Sequence, residues 1–216
     1  MDLAKQTPSQ AELERREGVH QVEQTRIHIL NKAEDLFLEK GLANTTMTDI
    51  AASANISRLS LYRYFSNIDP IAFEIAVRMI RKINVEGCRI EGGEKTLPEL
   101  KSRFISQIEQ FPMHQKAYRY LSIFDHVYGV SYPDEELANW YQEQLNTFGW
   151  EPNITNRNGQ KIPLTKLVMI ANSVMGYLEK KAERGELMSK EQGISLDEEL
   201  IAFKENVEVY LDYLYG

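Results

Sequence analysis

Near its C-terminus the chain carries Leu196, Leu200, Phe203, Val207, Tyr210 and Leu214, spaced by four, three, four, three and four residues. That spacing lines one face of a helix with apolar side chains. A strand, which sends alternate residues to opposite faces, gains nothing from it. The same rhythm runs through Ile27, Leu30, Ala33 and Phe37, through Ile71, Ile75 and Met79, and through Leu100, Phe104, Ile108 and Phe111. It returns in Leu164, Leu167, Ala171, Val174 and Leu178. No stretch alternates long enough to predict a strand, so the chain is expected to be all-α. Its 216 residues can bury a core without a disulfide or metal staple. The single cysteine, Cys88, excludes an intrachain disulfide.

Breaks between the periodic segments divide the chain. Gly41 is expected to close a helix over residues 23–40 in a left-handed conformation. Thr46 and Asp49 form a capping pair that opens a short second helix, and Asn55 suits a tight turn. Ser57 caps a third helix over 58–65, and Ser66 with Asp69 opens a fourth over 67–86. Gly92-Gly93, Thr96 with Glu99, Pro112 and Pro133 mark later boundaries, and residues 149–163 read as a loop turning at Asn158-Gly159. A Ser195/Glu198 capping box starts the last helix. Three parts are expected: residues 1–22 as a polar arm or helical extension, 23–66 as a three-helix head, and 67–216 as a larger helical body.

Taken alone, the formal net charge of −7 speaks against nucleic acid, but its distribution reverses that. Residues 1–85 hold 11 basic and 11 acidic side chains, so all the excess acid lies beyond them. Residues 50–68 contain Arg58 and Arg63 and no acid. Local charge decides where a polyanion docks. A long helix, a short helix, a tight turn and another short helix follow one another between residues 25 and 75, the order of a helix-turn-helix, which lays its second helix in the major groove. Ala51 and Ala54 are small where helices must nearly touch. Ile56, Leu61 and Phe65 can anchor the recognition helix, and Arg58, Ser60, Tyr62, Arg63 and Tyr64 offer donors on its outer face.

Thr45-Thr46-Met47-Thr48-Asp49-Ile50-Ala51, followed by Ala54-Asn55-Ile56-Ser57-Arg58-Leu59-Ser60-Leu61-Tyr62-Arg63-Tyr64-Phe65, resembles the DNA-binding domain of the tetracycline-repressor (TetR) family. The resemblance covers roughly residues 25–75. It implies phosphate contacts from Thr46 and Tyr62, a groove-facing set of Thr48, Arg58, Leu59 and Ser60, and a backbone or base-edge contact from Tyr64. Ser57 and Arg63 complete the expected DNA-facing residues. The family commonly has glycine where this chain has Asn55, and a phosphate-binding lysine where it has Ile68. The resemblance further implies a homodimer on double-stranded DNA, paired through helices 164–182 and 196–214. The interface residues would be Leu167, Ala171, Val174, Leu178, Leu200, Phe203, Val207, Tyr210 and Leu214.

By the same resemblance the middle helices enclose a small-molecule effector. Candidate lining residues are Phe104, Ile108, Tyr118, Phe124, Trp140 and Tyr141, with polar contacts from His114, Asp125 or His126. Helical spacing makes most of the aromatic residues core in any case. His114 and His126 do not stand at the three- or four-residue step of a metal pair, so no metal is expected. No phosphate loop, nucleophile elbow or cofactor fingerprint is present, so neither an enzyme nor a bound cofactor is expected. The absence of any apolar run near ~18 residues, and of a basic-then-apolar leader, predicts a cytoplasmic protein without a membrane partner. The expectation is therefore a one-component transcriptional regulator, a repressor rather than an activator. The alternative is a DNA-binding structural or partner-recruiting protein on the same scaffold, without an effector.

Overall fold

The computed structural model describes residues 10–85, 97–146, 154–184 and 193–216. Cys88, Gly92-Gly93, Thr96, Phe148 and Trp150 lie outside the described residues. Among those described there are nine α-helices and no strand, so the all-α expectation is borne out. The nearest thing to a sheet is an isolated antiparallel bridge, Thr155 to Lys161. It closes the expected turn, with Gly159 at φ 73°. No described helix is long and apolar enough to cross a membrane. The chain divides into two compact units, Met1–Ala72 and Phe73–Gly216.

The first unit holds α1 (Gln10–Lys40), a 3-10 turn (Leu42–Asn44), α2 (Met47–Ser53) and α3 (Arg58–Tyr62). The helix expected from residue 23 starts at Gln10, which makes the polar N-terminal stretch from there a helical extension. Ile29, Leu30, Ala33 and Phe37 of α1 are buried together with Leu42, Ile50, Ala51, Ala54, Leu61, Phe65, Ile71 and Ala72. Ile27, read as part of the inward stripe, is instead exposed, and Ile29 takes the core position. Gly41 ends α1 at φ 84°, with its amide bonded to the Phe37 carbonyl at 3.0 Å. Its ψ of 151° places it beyond the left-handed helical region, in backbone space that glycine alone enters freely.

The turn between α2 and α3 forms as expected. Asn55 takes φ 53°, the only positive φ among the described non-glycine residues. The third helix is shorter than expected: α3 ends at Tyr62, and Arg63 and Tyr64 fold back in tighter turns. α4 (Ile68–Val85) begins in the first unit and ends in the second. Its start corrects the sequence reading, because the Asn67 side chain, and not Ser66, accepts from the Asp69 amide at 2.9 Å. Asn and Ser compete for this role, and here the nearer residue closes the tight local ring.

The second unit adds α5 (Leu97–Glu109), α6 (Phe111–Tyr128), α7 (Glu135–Asn146), α8 (Leu164–Arg184) and α9 (Leu196–Tyr215). α6 packs along α8, and α5 along α9. Two ion pairs fix the latter in antiparallel register: Lys101 Nζ to Asp212 at 2.8 Å and Lys204 Nζ to Glu109 at 2.9 Å. Between α8 and α9, Lys181 is buried in an ion pair with Glu199. Tyr177 donates to the same carboxylate at 2.8 Å, and its ring stacks on Phe203 at 3.8 Å.

The left-handed conformation at Asn55 yields a direct expectation. Asn55→Ala keeps the β-carbon in that region but removes the short polar side chain that makes it tolerable, and should destabilise the head by about 1 kcal/mol, whereas Asn55→Gly, which removes the β-carbon, should be close to neutral. Amide hydrogen exchange across α2 and α3 measures both. Equal protection in the two variants would show that the turn does not depend on this residue's backbone tolerance.

Candidate functional site

In the head, α2 and α3 are each held by their own caps. Thr46 and Asp49 form a complete capping box: the Asp49 amide donates to the Thr46 hydroxyl at 3.2 Å, and the Thr46 amide donates to the Asp49 carboxylate at 2.9 Å. The Thr46 hydroxyl also donates to that carboxylate, at 2.7 Å. Lys40 adds an ion pair at 3.3 Å. The bonds from Thr46, with Lys40 contributing less, hold the Asp49 carboxyl below its ordinary pKa. The expected phosphate contact of Thr46 is thus met by a competing use: its hydroxyl proton and its amide both serve the cap.

Ser57 caps α3 by accepting from the Ser60 amide at 3.0 Å, and the two hydroxyls are 2.8 Å apart. Leu61 is fully buried beneath the helix, and Phe65 follows it inward. Two side chains of α1 reach this region. The Arg26 guanidinium lies 4.4 Å over the Phe65 ring and donates to the Tyr64 carbonyl at 3.5 Å, while His28 Nε2 is 3.2 Å from the Ala54 carbonyl. With Leu61 and Phe65 pointing in, the rest of α3 points out. Thr48, Ser57, Arg58, Leu59, Tyr62 and Arg63 are exposed, and Ser60 and Tyr64 are half-buried. Leu59, an apolar side chain, is 78% exposed.

In the second unit the candidate effector residues separate into groups. Phe104 and Ile108 are buried on α5, Tyr118 and Phe124 on α6, and Tyr141 on α7. Trp140 and His114 are half-buried, and Asp125 and His126 are exposed. Phe124 and Tyr141 meet at 5.6 Å between ring centroids. Both pack on Phe73 of α4, at 4.9 and 5.2 Å. Tyr132 joins Phe73 at 5.6 Å and Tyr141 at 6.0 Å, and Tyr128 joins Phe73 and Phe124 at 4.9 and 5.0 Å. Phe73 and Tyr132 were not among the residues singled out from sequence.

Glu179 was missed as well, although it continues the four-residue row Ala171–Met175 along α8 and so extends an apolar face with a carboxyl. Burial, helped by repulsion from Asp125, raises it to about pKa 8. Burial also raises Asp125, an otherwise exposed residue on α6. Among the described residues no three His, Cys, Asp or Glu side chains are placed to hold a metal.

The residues read as a dimer interface mostly face the chain's own core. Leu167, Ala171, Val174, Leu178, Leu200, Val207 and Leu214 are buried within one copy, and Phe203 is half-buried against Tyr177. Tyr210 alone of that set is exposed. The apolar side chains left outward on these helices are Val168 and Met169 on α8, and Ile201, Val209, Tyr210 and Tyr213 on α9.

A capped two-helix unit joined by a tight turn, with its second helix turned outward, has the geometry of a helix-turn-helix. Residues 29–75 match the sequence profile of bacterial regulatory proteins of the tetR family. A TetR family transcription regulator from Marinobacter aquaeolei VT8 shares the fold with a TM-score of 0.55 and 14% identity, over 91% of this chain and 96% of its own. A structural-genomics protein from Rhodococcus sp. RHA1 does so with a TM-score of 0.53 and 16% identity, over 88% and 95%. No curated protein matches the chain in sequence. The match to the tetR family is thus carried by the head, residues 29–75, while the solved regulators share the fold of the longer chain.

The capping box makes a pH prediction. The folded-state pKa of Asp49 is depressed, so its contribution to the head is present above the unfolded value and is lost as pH falls through the folded value. In Thr46→Ala the carboxyl should titrate closer to its ordinary value. NMR titration of the Asp49 carboxyl carbon in both proteins reads this out, and coincident curves would remove Thr46 as the cause.

Proposed function

We propose that the protein is a repressor that binds a palindromic operator as a homodimer and is released from it by a small molecule held in the second unit. The observation that supports the DNA-reading part most directly is the outward face of α3. Arg58 lies in its first turn, where side chains of a recognition helix approach base edges. An arginine can bond two acceptors of one guanine, and an exposed leucine such as Leu59 can meet a thymine methyl. Tyr62 stands four residues after Arg58, on the same side of the helix, and suits a flanking phosphate.

The outward apolar residues of α8 and α9 suit a two-fold interface. Ile201, Val209 and Tyr213 fall along one side of α9 at multiples of four residues, and Val209 and Tyr213 are 71% and 77% exposed. A stable dimer of ordinary size buries ~1,200–2,000 Å² in total. In this reading the inward stripes of the same helices build the core of each copy, and the outward residues make the contact.

Two experiments test the reading. Arg58→Ala should weaken operator binding and relax preference at one base pair in each half-site, at a cost of ~1–3 kcal/mol. Tyr62→Phe should weaken binding to all sequences alike. Titration on an operator and its single-base variants separates the two, and unchanged affinity and preference in Arg58→Ala would remove α3 as the reading helix. Val209→Glu combined with Tyr213→Glu should sediment as a monomer. Dimer retention would place the interface on another surface.

A further inference from the structure

Between α8 and α9 there is a cavity of about 240 Å³, lined by Tyr177, Lys180, Lys181 and Arg184 of α8 and by Glu199 of α9. Three cations therefore face one carboxylate. That carboxylate is already answered: one oxygen takes the Lys181 ion pair, and the other accepts from the Tyr177 hydroxyl at 2.8 Å. Lys180 and Arg184 are left as the surplus charge. They stand four residues apart, on one side of α8, and both are exposed. Lys180 makes no hydrogen bond or ion pair with any described residue.

The other carboxyls at this end of the two helices are engaged elsewhere. Glu183 accepts from Ser122 of α6 at 3.4 Å, and Glu198 is held in the Ser195 cap. Glu179, raised by burial to about pKa 8, is mostly uncharged at neutral pH. A basic side chain in the last turn of a helix complements its dipole, which accounts for Arg184 but makes no cavity. The walls also carry carbon surface. The lysines and the arginine contribute methylene stems, and Tyr177 a ring fixed on one face by Phe203 at 3.8 Å.

Four ligand chemistries can be weighed against this lining. A cation meets charges of its own sign. A neutral hydrocarbon gains nothing from Lys180 and Arg184. An inorganic anion uses those two heads but leaves the stems and the ring bare. An organic carboxylate uses both, and a guanidinium can bond its two oxygens at once. The volume is below the ~300–1,000 Å³ of pockets for drug-sized ligands, so the occupant is small. We propose that this cavity binds a small organic anion, a carboxylate on an aromatic or short hydrocarbon body, with Lys180 and Arg184 gripping the carboxylate. It shares no lining residue with the effector candidates. On α9, Glu199 stands about 200° around the helix from Ile201, the start of the outward row assigned to the dimer contact. The assignment thus goes beyond the repressor reading and holds whether or not binding frees DNA.

The test is calorimetric titration of the full chain with benzoate, with its neutral isostere benzamide, and with inorganic phosphate. Benzoate should bind at least about tenfold tighter than benzamide, and phosphate more weakly than benzoate. The double variant Lys180→Gln with Arg184→Gln should bring benzoate down to the benzamide level and leave benzamide unchanged. Lys166→Gln, an exposed position of the same helix outside the cavity, should change neither. Thermal melts confirm that the variants fold. Equal binding of benzoate and benzamide, an advantage that survives the double variant, or no binding of benzoate at millimolar concentration would each overturn the inference. Phosphate binding as tight as that of benzoate would overturn it too, because the carbon surface would then contribute nothing.

Discussion

Burial of Leu61 is the constraint on which the head depends. α3 has five residues, and an isolated helix shorter than ~12–15 residues is marginal in water. It exists because Leu61 and Phe65 are drawn under it and Ser57 closes its first turn. Once those two side chains point inward, helical geometry alone sends Arg58, Leu59 and Tyr62 outward. Arg26 and His28 of α1 then tie down the segments that flank the short helices through their carbonyls. The outward face of α3 is therefore a by-product of core packing.

Most of the head could be read before the structure because its signals are local. A Thr-x-x-Asp pair, an asparagine at a left-handed turn and a leucine-to-phenylalanine step of four each specify geometry within a few residues. Asn67 in place of Ser66 was a choice between two competent caps one residue apart, and composition does not rank them. Thr46 shows a different limit. Its type fits both a cap and a phosphate contact, and only coordinates reveal that its proton is already given to Asp49.

In the second unit the helices were legible and their partners were not. An apolar stripe states that a face is buried but not what buries it. Leu167, Val174 and Leu178 were read as meeting a second copy, yet the chain's own core covers them. The antiparallel register of α5 and α9 was equally hidden, since Lys101 and Asp212 are 111 residues apart. Exposed ion pairs of this kind contribute little stability individually. Their information is positional: two of them, offset by eight residues on each helix, admit one alignment. Glu179 escaped notice because a single carboxyl beside an apolar row looks like an ordinary solvated edge.

The cluster of Tyr177, Lys181, Glu199 and Phe203 has a consequence for engineering. These side chains lock α8 to α9 laterally, by a stacked ring pair and a buried charge pair. The register of the two helices is therefore carried by side chains on the helices themselves. Sliding either helix by one residue would separate both the stacked rings and the buried charge pair. A redesign of this face accordingly has to change the two helices together, as one unit.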